Sequence, residues 1–104
     1  MAQAKFALRA TVSTESPELV KEVLVQQVPG GTVRRTEGRN EFLVDGVLAG
    51  PNARELNRTL LSALRRVEKR TRLRAEWTRE GITECFFDYV PKAKRTADPP
   101  TESA

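Results

Sequence analysis

Histidine is absent from this sequence of 104 residues, and Cys85 is its single cysteine. Histidine is the commonest general base and metal ligand, so its absence removes the usual centres of proton transfer and metal binding. A lone cysteine cannot form an internal disulfide, a zinc cluster or a cysteine–histidine nucleophile. A mechanism that uses only carboxylates is not excluded, but no pair of acidic residues stands out. We therefore expect a chain that is not an enzyme and has no cofactor or metal.

Long apolar segments are absent as well. A membrane-spanning helix needs about 20 consecutive apolar residues, and no run in the sequence approaches that length. The N-terminus, MAQAKFALRA, lacks the apolar segment of a secretory signal. A single cysteine also fits a reducing compartment. These features predict a soluble, cytoplasmic protein with no membrane partner, and the length predicts one domain with a modest core.

Positive charge is plentiful, and it is concentrated in one stretch. The 18 Lys and Arg outnumber the 14 Asp and Glu, which gives a net charge of +4. Residues 53–79 contain nine Lys or Arg and three Asp or Glu, a local charge of +6, so the rest of the chain carries −2. Concentrated positive charge attracts phosphates. The distribution therefore predicts an anionic or acidic partner.

An amphipathic helix begins this basic stretch. Apolar residues recur at intervals of three and four from Ala53 to Val67, Asn52 is a suitable N-cap, and Gly50-Pro51 interrupts the chain before it. At about 100° per residue, basic side chains form a narrow stripe beside the apolar face. This basic stripe consists of Arg54, Arg58, Arg65, Lys69 and Arg72. We interpret it as a site for phosphates or an acidic partner; the alternative is a solvated face that keeps the helix soluble.

The N-terminal half predicts three strands and another helix. Residues 6–12 alternate in polarity, as a strand does. A weak strand is predicted at residues 32–37, and a third strand at residues 42–44 with a continuation through residues 47–49. Gly46 is expected to mark a bulge or a strand end. Ser16-Pro17-Glu18 is typical of a helix start, and Pro29-Gly30-Gly31 ends that helix. Its predicted buried face consists of Leu19, Val20, Val23 and Leu24.

Residues 73–90 predict a β-hairpin with a two-residue turn at Glu80-Gly81, where glycine supplies a positive φ. The resulting cross-strand pairs are Ala75 with Phe86, Arg74 with Phe87, and Arg72 with Tyr89. Phe87 and Tyr89 then share the face opposite to that of Trp77. A register shift of one residue would reverse this assignment.

The pairing of Phe87 and Tyr89 with arginines has three interpretations. Such pairs stack on bases in single-stranded RNA, they are enriched where protein chains meet, and they also occur in ordinary sheet packing. We therefore add Arg74 to the basic stripe as a candidate nucleic-acid contact, and name Phe87 and Tyr89 as candidates for stacking or for an interface. Cys85 is interpreted as a small strand residue rather than a redox centre.

The predicted domain organisation is a flexible N-terminus at residues 1–4, one α+β domain at residues 5–91 and a disordered tail at residues 92–104. The tail is rich in proline, serine and charge, which disfavours a packed structure. Its basic residues would make loose phosphate contacts. They are Lys92, Lys94 and Arg95.

The order of elements is strand, helix, strand, strand, helix, strand, strand. It predicts an α+β fold with two helices on one face of an antiparallel sheet. A ferredoxin-like two-layer sandwich with one added C-terminal strand is the simplest such arrangement. The chain does not resemble an RNA-recognition-motif domain, because Arg9 and Glu41 lie near the places where that family has stacking aromatic residues.

Four segments in residues 6–71 share an order and an amphipathic spacing with one family. They are FALRATVS, SPELVKEVL, TVRRTEGRNEFLVDGVLA and NARELNRTLLSALRRV. They resemble the small dimerising subunit of the KEOPS tRNA-modifying complex over about two-thirds of the chain, without a diagnostic motif. The hairpin LRAEWTREGITECFFDYV departs from that family, whose chain usually ends near the closing helix. The resemblance implies a non-catalytic, dimeric subunit that supports threonylcarbamoyl-adenosine synthesis on tRNA, with partner subunits carrying out the chemistry.

Two functional hypotheses follow from the sequence. The first is a non-catalytic accessory or adaptor domain in an RNA- or tRNA-related assembly, with protein partner subunits, whose basic stripe and Arg74 contact phosphates or an acidic partner. The second is a structural homo-oligomer or protein-interaction domain with no nucleic-acid role. In that case a sheet edge or the aromatic face pairs with a second copy, and the positive charge only maintains solubility.

Overall fold

Six strands and two helices form the fold in a computed structural model, which describes residues 4–36 and 40–96. In chain order the elements are β1 (Ala4–Ser13), α1 (Pro17–Gln27), β2 (Thr32–Arg35), β3 (Glu41–Gly50), α2 (Ala53–Val67), β4 (Arg72–Arg79), β5 (Ile82–Phe87) and β6 (Val90–Thr96). The predicted order of elements is confirmed through β5. β6 is an additional strand, so the prediction of a five-stranded sheet was wrong.

The strands form one sheet in the order β2-β3-β1-β4-β5-β6, and every neighbouring pair is antiparallel. β1 lies near the centre, between β3 and β4. This result confirms the predicted α+β class with two helices and an antiparallel sheet. Within the described residues, no helix is long and apolar enough to cross a membrane.

Both helices cover the same face of the sheet. Apolar residues at alternate positions of the strands form a single buried cluster with the apolar residues of α1 and α2, as the period of two in a strand requires. Its largest fully buried members are Trp77, Phe42, Leu24, Leu60, Leu61, Leu64 and Leu73. The sheet is therefore a two-sided layer with one face in the core and the other, which we call the open face, left uncovered by the helices.

The helix boundaries agree with the predicted start and stop residues, although the Ser16 side chain makes no capping hydrogen bond to α1. Asn52 precedes α2 and its side chain accepts a hydrogen bond of 2.8 Å from the Glu55 amide, which satisfies one of the free donors of the first turn. Pro17 begins α1. The predicted buried face of α1 needs one correction, because Leu19 is 52% exposed whereas Val20 and Leu24 are buried. Leu19 lies toward the side of the helix that faces away from the sheet.

The predicted β4–β5 hairpin is confirmed in its turn and in two of its three pairs. Arg79 faces Ile82, Ala75 faces Phe86 and Arg74 faces Phe87. Glu80 and Gly81 both have positive φ, 53° and 80°, as a type I′ turn requires. The expected pairing of Arg72 with Tyr89 was wrong, because β5 ends at Phe87 and Asp88 takes a left-handed conformation with φ 57°.

β6 continues the sheet beyond the boundary placed at residue 91. It pairs with β5 from Val90 to Thr96, with an irregular step at which the partners pass from Pro91 to Ala93. Residues 92–96 therefore lie in a strand, where the sequence predicted the beginning of a disordered tail. Residues 1–3 and 97–104, and the side chains of Lys94 and Arg95, fall outside the part that the structure describes.

Gly46 marks neither a bulge nor a strand end, because β3 continues through it to Gly50 in register with β1. A Cβ atom at this position would lie 2.4 Å from Cγ1 of Val28. Such a distance is far below van der Waals contact. The glycine therefore allows the chain that follows α1 to pack closely over β3.

Candidate nucleic-acid interface

The open face carries polar and charged residues from every strand whose side chains are described. Period two places Ala7, Arg9, Thr11 and Ser13 of β1 on this face, because their neighbours Phe6, Leu8, Ala10 and Val12 are buried in the core. Residues that face each other in an antiparallel ladder share a side of the sheet. The register then assigns the remaining strands to the two faces.

One row of side chains crosses five strands of the open face. Arg34 on β2 faces Leu43 on β3, which also faces Thr11 on β1; Thr11 faces Arg74 on β4, and Arg74 faces Phe87 on β5. Lys92 of β6 ends the row, with its ammonium 5.6 Å from the centre of the Phe87 ring. We call these six residues the central row. It contains three cations and no acid.

The Phe87 ring lies at the centre of a cluster that contains two cations of the open face. The Arg74 guanidinium lies over it at 5.0 Å, and Lys92 adds a second cation. Both distances are within the range of a cation–π interaction. Phe87 nevertheless keeps 43% of its surface exposed. An apolar ring therefore lies in water on the uncovered side of the sheet, held between positive charges.

The rows on either side of the central row contain acids. On one side, Arg9 faces Asp45 and Glu76, and its Nε lies 3.5 Å from the Asp45 carboxylate. On the other side, Glu41 and Arg72 flank Ser13, whose hydroxyl is 3.4 Å from Glu41. We call these the Arg9 row and the Arg72 row. The Arg9 row has two acids for one base and the Arg72 row has one acid for one base, so the net positive charge of these three rows lies along the central row.

Two shallow depressions adjoin the central row. One, of about 530 Å³, extends toward the Arg9 row and includes Cys85 in its lining. The other, of about 390 Å³, extends toward the Arg72 row. Thr11, Arg74 and Phe87 line both of them. The Arg74–Phe87 pair is thus the boundary between two concave surfaces, each with a basic and an aromatic wall.

The predicted basic stripe is not continuous in the structure. α2 ends at Val67, so Lys69 lies in the turn after the helix and Arg72 lies on β4. The helical geometry that would align all five basic side chains therefore ends before Lys69. Arg54 and Lys69 are exposed. Arg58 binds Glu55, whose hydrogen bond and charge raise the pKa of the Arg58 guanidinium.

Two other members of the basic stripe are bound to Asp88. Arg65 lies 3.2 Å from one carboxylate oxygen, and the Nε of Arg72 donates to the other at 2.9 Å. The same carboxylate accepts a 3.0 Å hydrogen bond from the Leu73 amide. Arg65 also donates to the Thr71 carbonyl at 2.9 Å. Asp88 therefore joins α2 to β4, and Arg65 is held in an internal contact on the helix side.

Tyr89 does not lie beside Phe87. Its hydroxyl is 3.1 Å from the hydroxyl of Ser62 on α2, and the Arg65 guanidinium lies 5.5 Å from its ring. The left-handed conformation of Asp88 reverses the chain before Tyr89 and turns that ring toward the helix layer. Of the two predicted aromatic residues, only Phe87 belongs to the open face, where it is accompanied by Arg74.

Three basic residues of the open face were not among the predicted site residues or were given another role. The sequence pattern alone puts Arg9 near a position where RNA-recognition-motif domains have a stacking aromatic residue, places Arg34 in a weak strand, and predicts loose phosphate contacts for Lys92 in a disordered tail. The alternation of polarity places Arg9 and Arg34 on a face of their strands. Their proximity to Arg74 depends on the order of strands in the sheet, for which the sequence contains no local signal.

The described side chains of this surface are suited to binding a ligand rather than to coordinating a metal ion. In the described ranges, 4–36 and 40–96, no three His, Cys, Asp or Glu side chains lie together in a way that could hold a metal ion. The open face offers guanidinium and ammonium groups, one exposed ring and two depressions. Comparisons of this chain with models of protein families, with curated proteins and with solved structures found no match.

Proposed function

We propose that this chain is a non-catalytic accessory domain that binds RNA through the open face of its sheet. One observation carries the proposal: a half-exposed Phe87 lies between Arg74 and Lys92 on the sheet face that the helices leave uncovered. Aromatic rings on a sheet surface stack on unpaired bases, and neighbouring cations bind the phosphates. An acidic protein would form ion pairs with the cations but would gain less from contact with the exposed ring.

RNA binding is expected to rearrange the contacts between the Phe87 ring and its two cations. A base that stacks on a ring face covered by a cation displaces that cation, which in the free protein lies 5.0 or 5.6 Å from the ring centre. The displaced group then becomes available to a phosphate. A charge-assisted hydrogen bond to phosphate is stronger than the cation–π contact that it replaces. The exchange therefore favours the bound state.

The basic stripe has a smaller part in this proposal. Arg58 is bound to Glu55, and Arg65 and Arg72 are bound to Asp88. Contacts from these residues to phosphate would compete with internal ones. Arg54 and Lys69 are exposed and contribute long-range attraction.

We further propose that β1–β4 and the two helices form a ferredoxin-like unit to which the β5–β6 hairpin is added. Support comes from two split βαβ arrangements, since β3 lies between β1 and β2 and β1 lies between β3 and β4. The resemblance of residues 6–71 to the small KEOPS subunit makes tRNA the first RNA to test. In such an assembly, partner subunits would carry out the chemistry.

Self-association through a sheet edge is the second candidate function. β2 pairs only with residues 42–45 of β3, so the second half of β3 has β1 as its single strand neighbour among the described residues. Val47 in this half is 58% exposed. An unpaired edge of this kind accepts another strand. Light scattering would give the mass of a dimer if this edge pairs with a second copy.

The test of RNA binding is a titration of bulk tRNA with the full chain, followed by fluorescence anisotropy. We expect the double variant Arg74→Glu, Lys92→Glu to weaken binding at least tenfold. The control is Lys21→Glu, Arg66→Glu, which lowers the net charge equally but alters exposed residues of α1 and α2. Equal losses in the two variants, or no binding by the unaltered chain, would overturn the proposal.

A further inference from the structure

We infer that the RNA is single-stranded and that it crosses the β-strands along the central row, from Arg34 at one edge to Lys92 at the other. This inference rests on the proposed function and adds the form of the ligand and its path. Three observations support this path: the distribution of charge over the open face, the spacing of the strands and the exposure of two apolar side chains.

Charge restricts the path to one direction. The central row contains Arg34, Arg74 and Lys92 and no carboxylate. A polyanion that ran parallel to the strands would instead pass from the central row over the acids of the Arg9 row or the Arg72 row. Asp45 and Glu76 lie in the first and Glu41 in the second. Repulsion from these carboxylates disfavours that path, whereas the central row presents only neutral or positive groups.

The strand spacing gives the length of the path. The residues from Arg34 to Lys92 span all six strands in the order β2-β3-β1-β4-β5-β6, which are five spacings of about 4.8 Å, or about 24 Å in total. A stacked nucleic-acid strand advances about 3.4 Å per nucleotide, so the row accommodates at most about seven nucleotides. An unstacked strand is longer per nucleotide and fits fewer. The predicted ligand is therefore a short single-stranded segment.

The apolar side chains of the row favour unpaired bases. Phe87 is 43% exposed, and Leu43 at the other end of the row is also exposed. A duplex hides the faces of its bases inside the stack, so it offers these side chains only sugars and phosphates. An unpaired strand offers a base face to the ring, and stacking of a base on an aromatic ring strengthens binding whatever the base. The depressions beside Arg74 and Phe87, of about 530 and 390 Å³, leave space for such a base.

β2 provides a closely matched pair of variants. Arg34 and Arg35 are adjacent and both exposed, but Arg34 faces Leu43 on the open face whereas Arg35 faces the core residue Phe42. β1 provides a second pair, because Thr11 lies in the central row and Ala7 lies two positions beyond Arg9 on the same face. A glutamate at Arg34 or Thr11 places a negative charge on the path. The same change at Arg35 or Ala7 places it elsewhere.

The experiment measures binding of labelled single-stranded RNA of about 4 to about 16 nucleotides, and of a blunt RNA duplex, by fluorescence anisotropy. Thermal unfolding verifies that each variant is folded. We expect affinity to rise with length to about seven nucleotides and then level off apart from the statistical increase in sites. Duplex binding is expected to be at least tenfold weaker. Arg34→Glu and Thr11→Glu should each weaken single-strand binding by about tenfold, and Arg35→Glu and Ala7→Glu by less than about threefold.

The outcomes separate this inference from the proposed function. Equal affinity for duplex and single strand, or equal effects of Arg34→Glu and Arg35→Glu, would overturn the path while leaving RNA binding in place. Loss of affinity in Phe87→Leu, which keeps an apolar side chain but removes the ring, would support base stacking. Retention of full affinity in that variant would overturn it. Absence of binding to any RNA would overturn the proposed function itself.

Discussion

Asn57 is a buried polar residue in the middle of α2, with only 1% of its surface exposed. Its side-chain oxygen accepts a 3.1 Å hydrogen bond from the indole nitrogen of Trp77, and its amide group donates a 2.8 Å hydrogen bond to the carbonyl of Asp88. The amide is thus satisfied on both sides, as a buried polar group must be. It fixes α2 against β4 and against the turn that follows β5.

Replacement of Asn57 with leucine should lower the free energy of unfolding by about 1–3 kcal/mol, because the Trp77 N–H and the Asp88 carbonyl would lose their partners in the core. Urea denaturation measures this change. Thr59→Ala, at an exposed position of the same helix, is the control and should change stability by less than about 0.5 kcal/mol. An unchanged denaturation midpoint in the Asn57 variant would show that water satisfies these groups.

Glu68 is a second residue whose contacts have a measurable consequence. Its carboxylate accepts a 2.8 Å hydrogen bond from the Ser16 hydroxyl and a 3.2 Å hydrogen bond from the Arg70 amide. These bonds, the first of them the larger cause, hold the pKa of Glu68 below its ordinary value. The ionised carboxylate is therefore favoured in the folded state.

A lowered folded-state pKa means that the stabilisation is present above the pKa of the unfolded chain and is lost as the pH falls through the folded-state value. The wild type should therefore exceed Glu68→Gln in melting temperature at about pH 7, and the difference should shrink toward about pH 3. Thermal unfolding of both proteins across this range provides the measurement. A difference that grows on acidification would contradict the assignment of these hydrogen bonds.

At the scale of elements, the β4–β5 hairpin shows where conformational strain lies. Glu80 and Gly81 occupy the two central positions of the turn with φ of 53° and 80°. Glycine accepts this conformation freely, but a glutamate has a Cβ atom that disfavours it. Asparagine is the residue that a type I′ turn prefers at the first position.

Glu80→Asn should therefore raise the free energy of unfolding by about 0.5 kcal/mol, and Gly81→Ala should lower it by about 1 kcal/mol or more. Chemical denaturation measures both changes. Both variants retain Thr78 and Thr83, whose hydroxyls are 2.7 Å apart beside the turn. Opposite signs of the two changes would support the type I′ geometry. Destabilisation by asparagine would count against it.

Individual elements also differ in how well local sequence signals predict them. The hairpin register was predictable because Glu80-Gly81 is a local signal that fixes the pairing of the residues next to it. The break in the basic stripe was not, because the spacing of basic residues continues past Val67 and no glycine or proline follows it. β4 pairs with β1 from residue 72 onwards, and this tertiary requirement overrides the helix propensity of the basic segment. β6 was missed because its proline and lysines are typical of tails and of edge strands alike.

At the scale of the whole molecule, the candidate site is a product of the sheet order. Alternation in each strand indicates which side chains share a face, so the exposed positions of Arg9, Arg34 and Arg74 could be read from the sequence one strand at a time. Arg34 and Arg74 enter one row only because β3 and β1 lie between β2 and β4. Their spatial relation therefore depends on the complete fold. The basic stripe was a plausible site in the linear sequence. In the folded chain, three of its five residues form ion pairs with Glu55 or Asp88.

The salt dependence of RNA binding tests the site as a whole. For single strands, the slope of log K against log salt is about −0.7 for each phosphate neutralised, so the three cations of the central row predict a slope of about −2. Arg74→Gln should reduce the magnitude of the slope by about 0.7, because it removes one phosphate contact. Anisotropy titrations at several salt concentrations give this value directly.

Arg65→Gln is the matched control for this measurement. Arg65 is bound to Asp88 and to the Thr71 carbonyl on the helix side, so its removal should lower stability while leaving the slope unchanged. A slope near −4 in the unaltered chain would mean about twice as many phosphate contacts, as expected if Arg54 and other cations outside the central row also take part. A slope that falls equally in the Arg65 and Arg74 variants would place the RNA across both layers of the protein rather than on the open face.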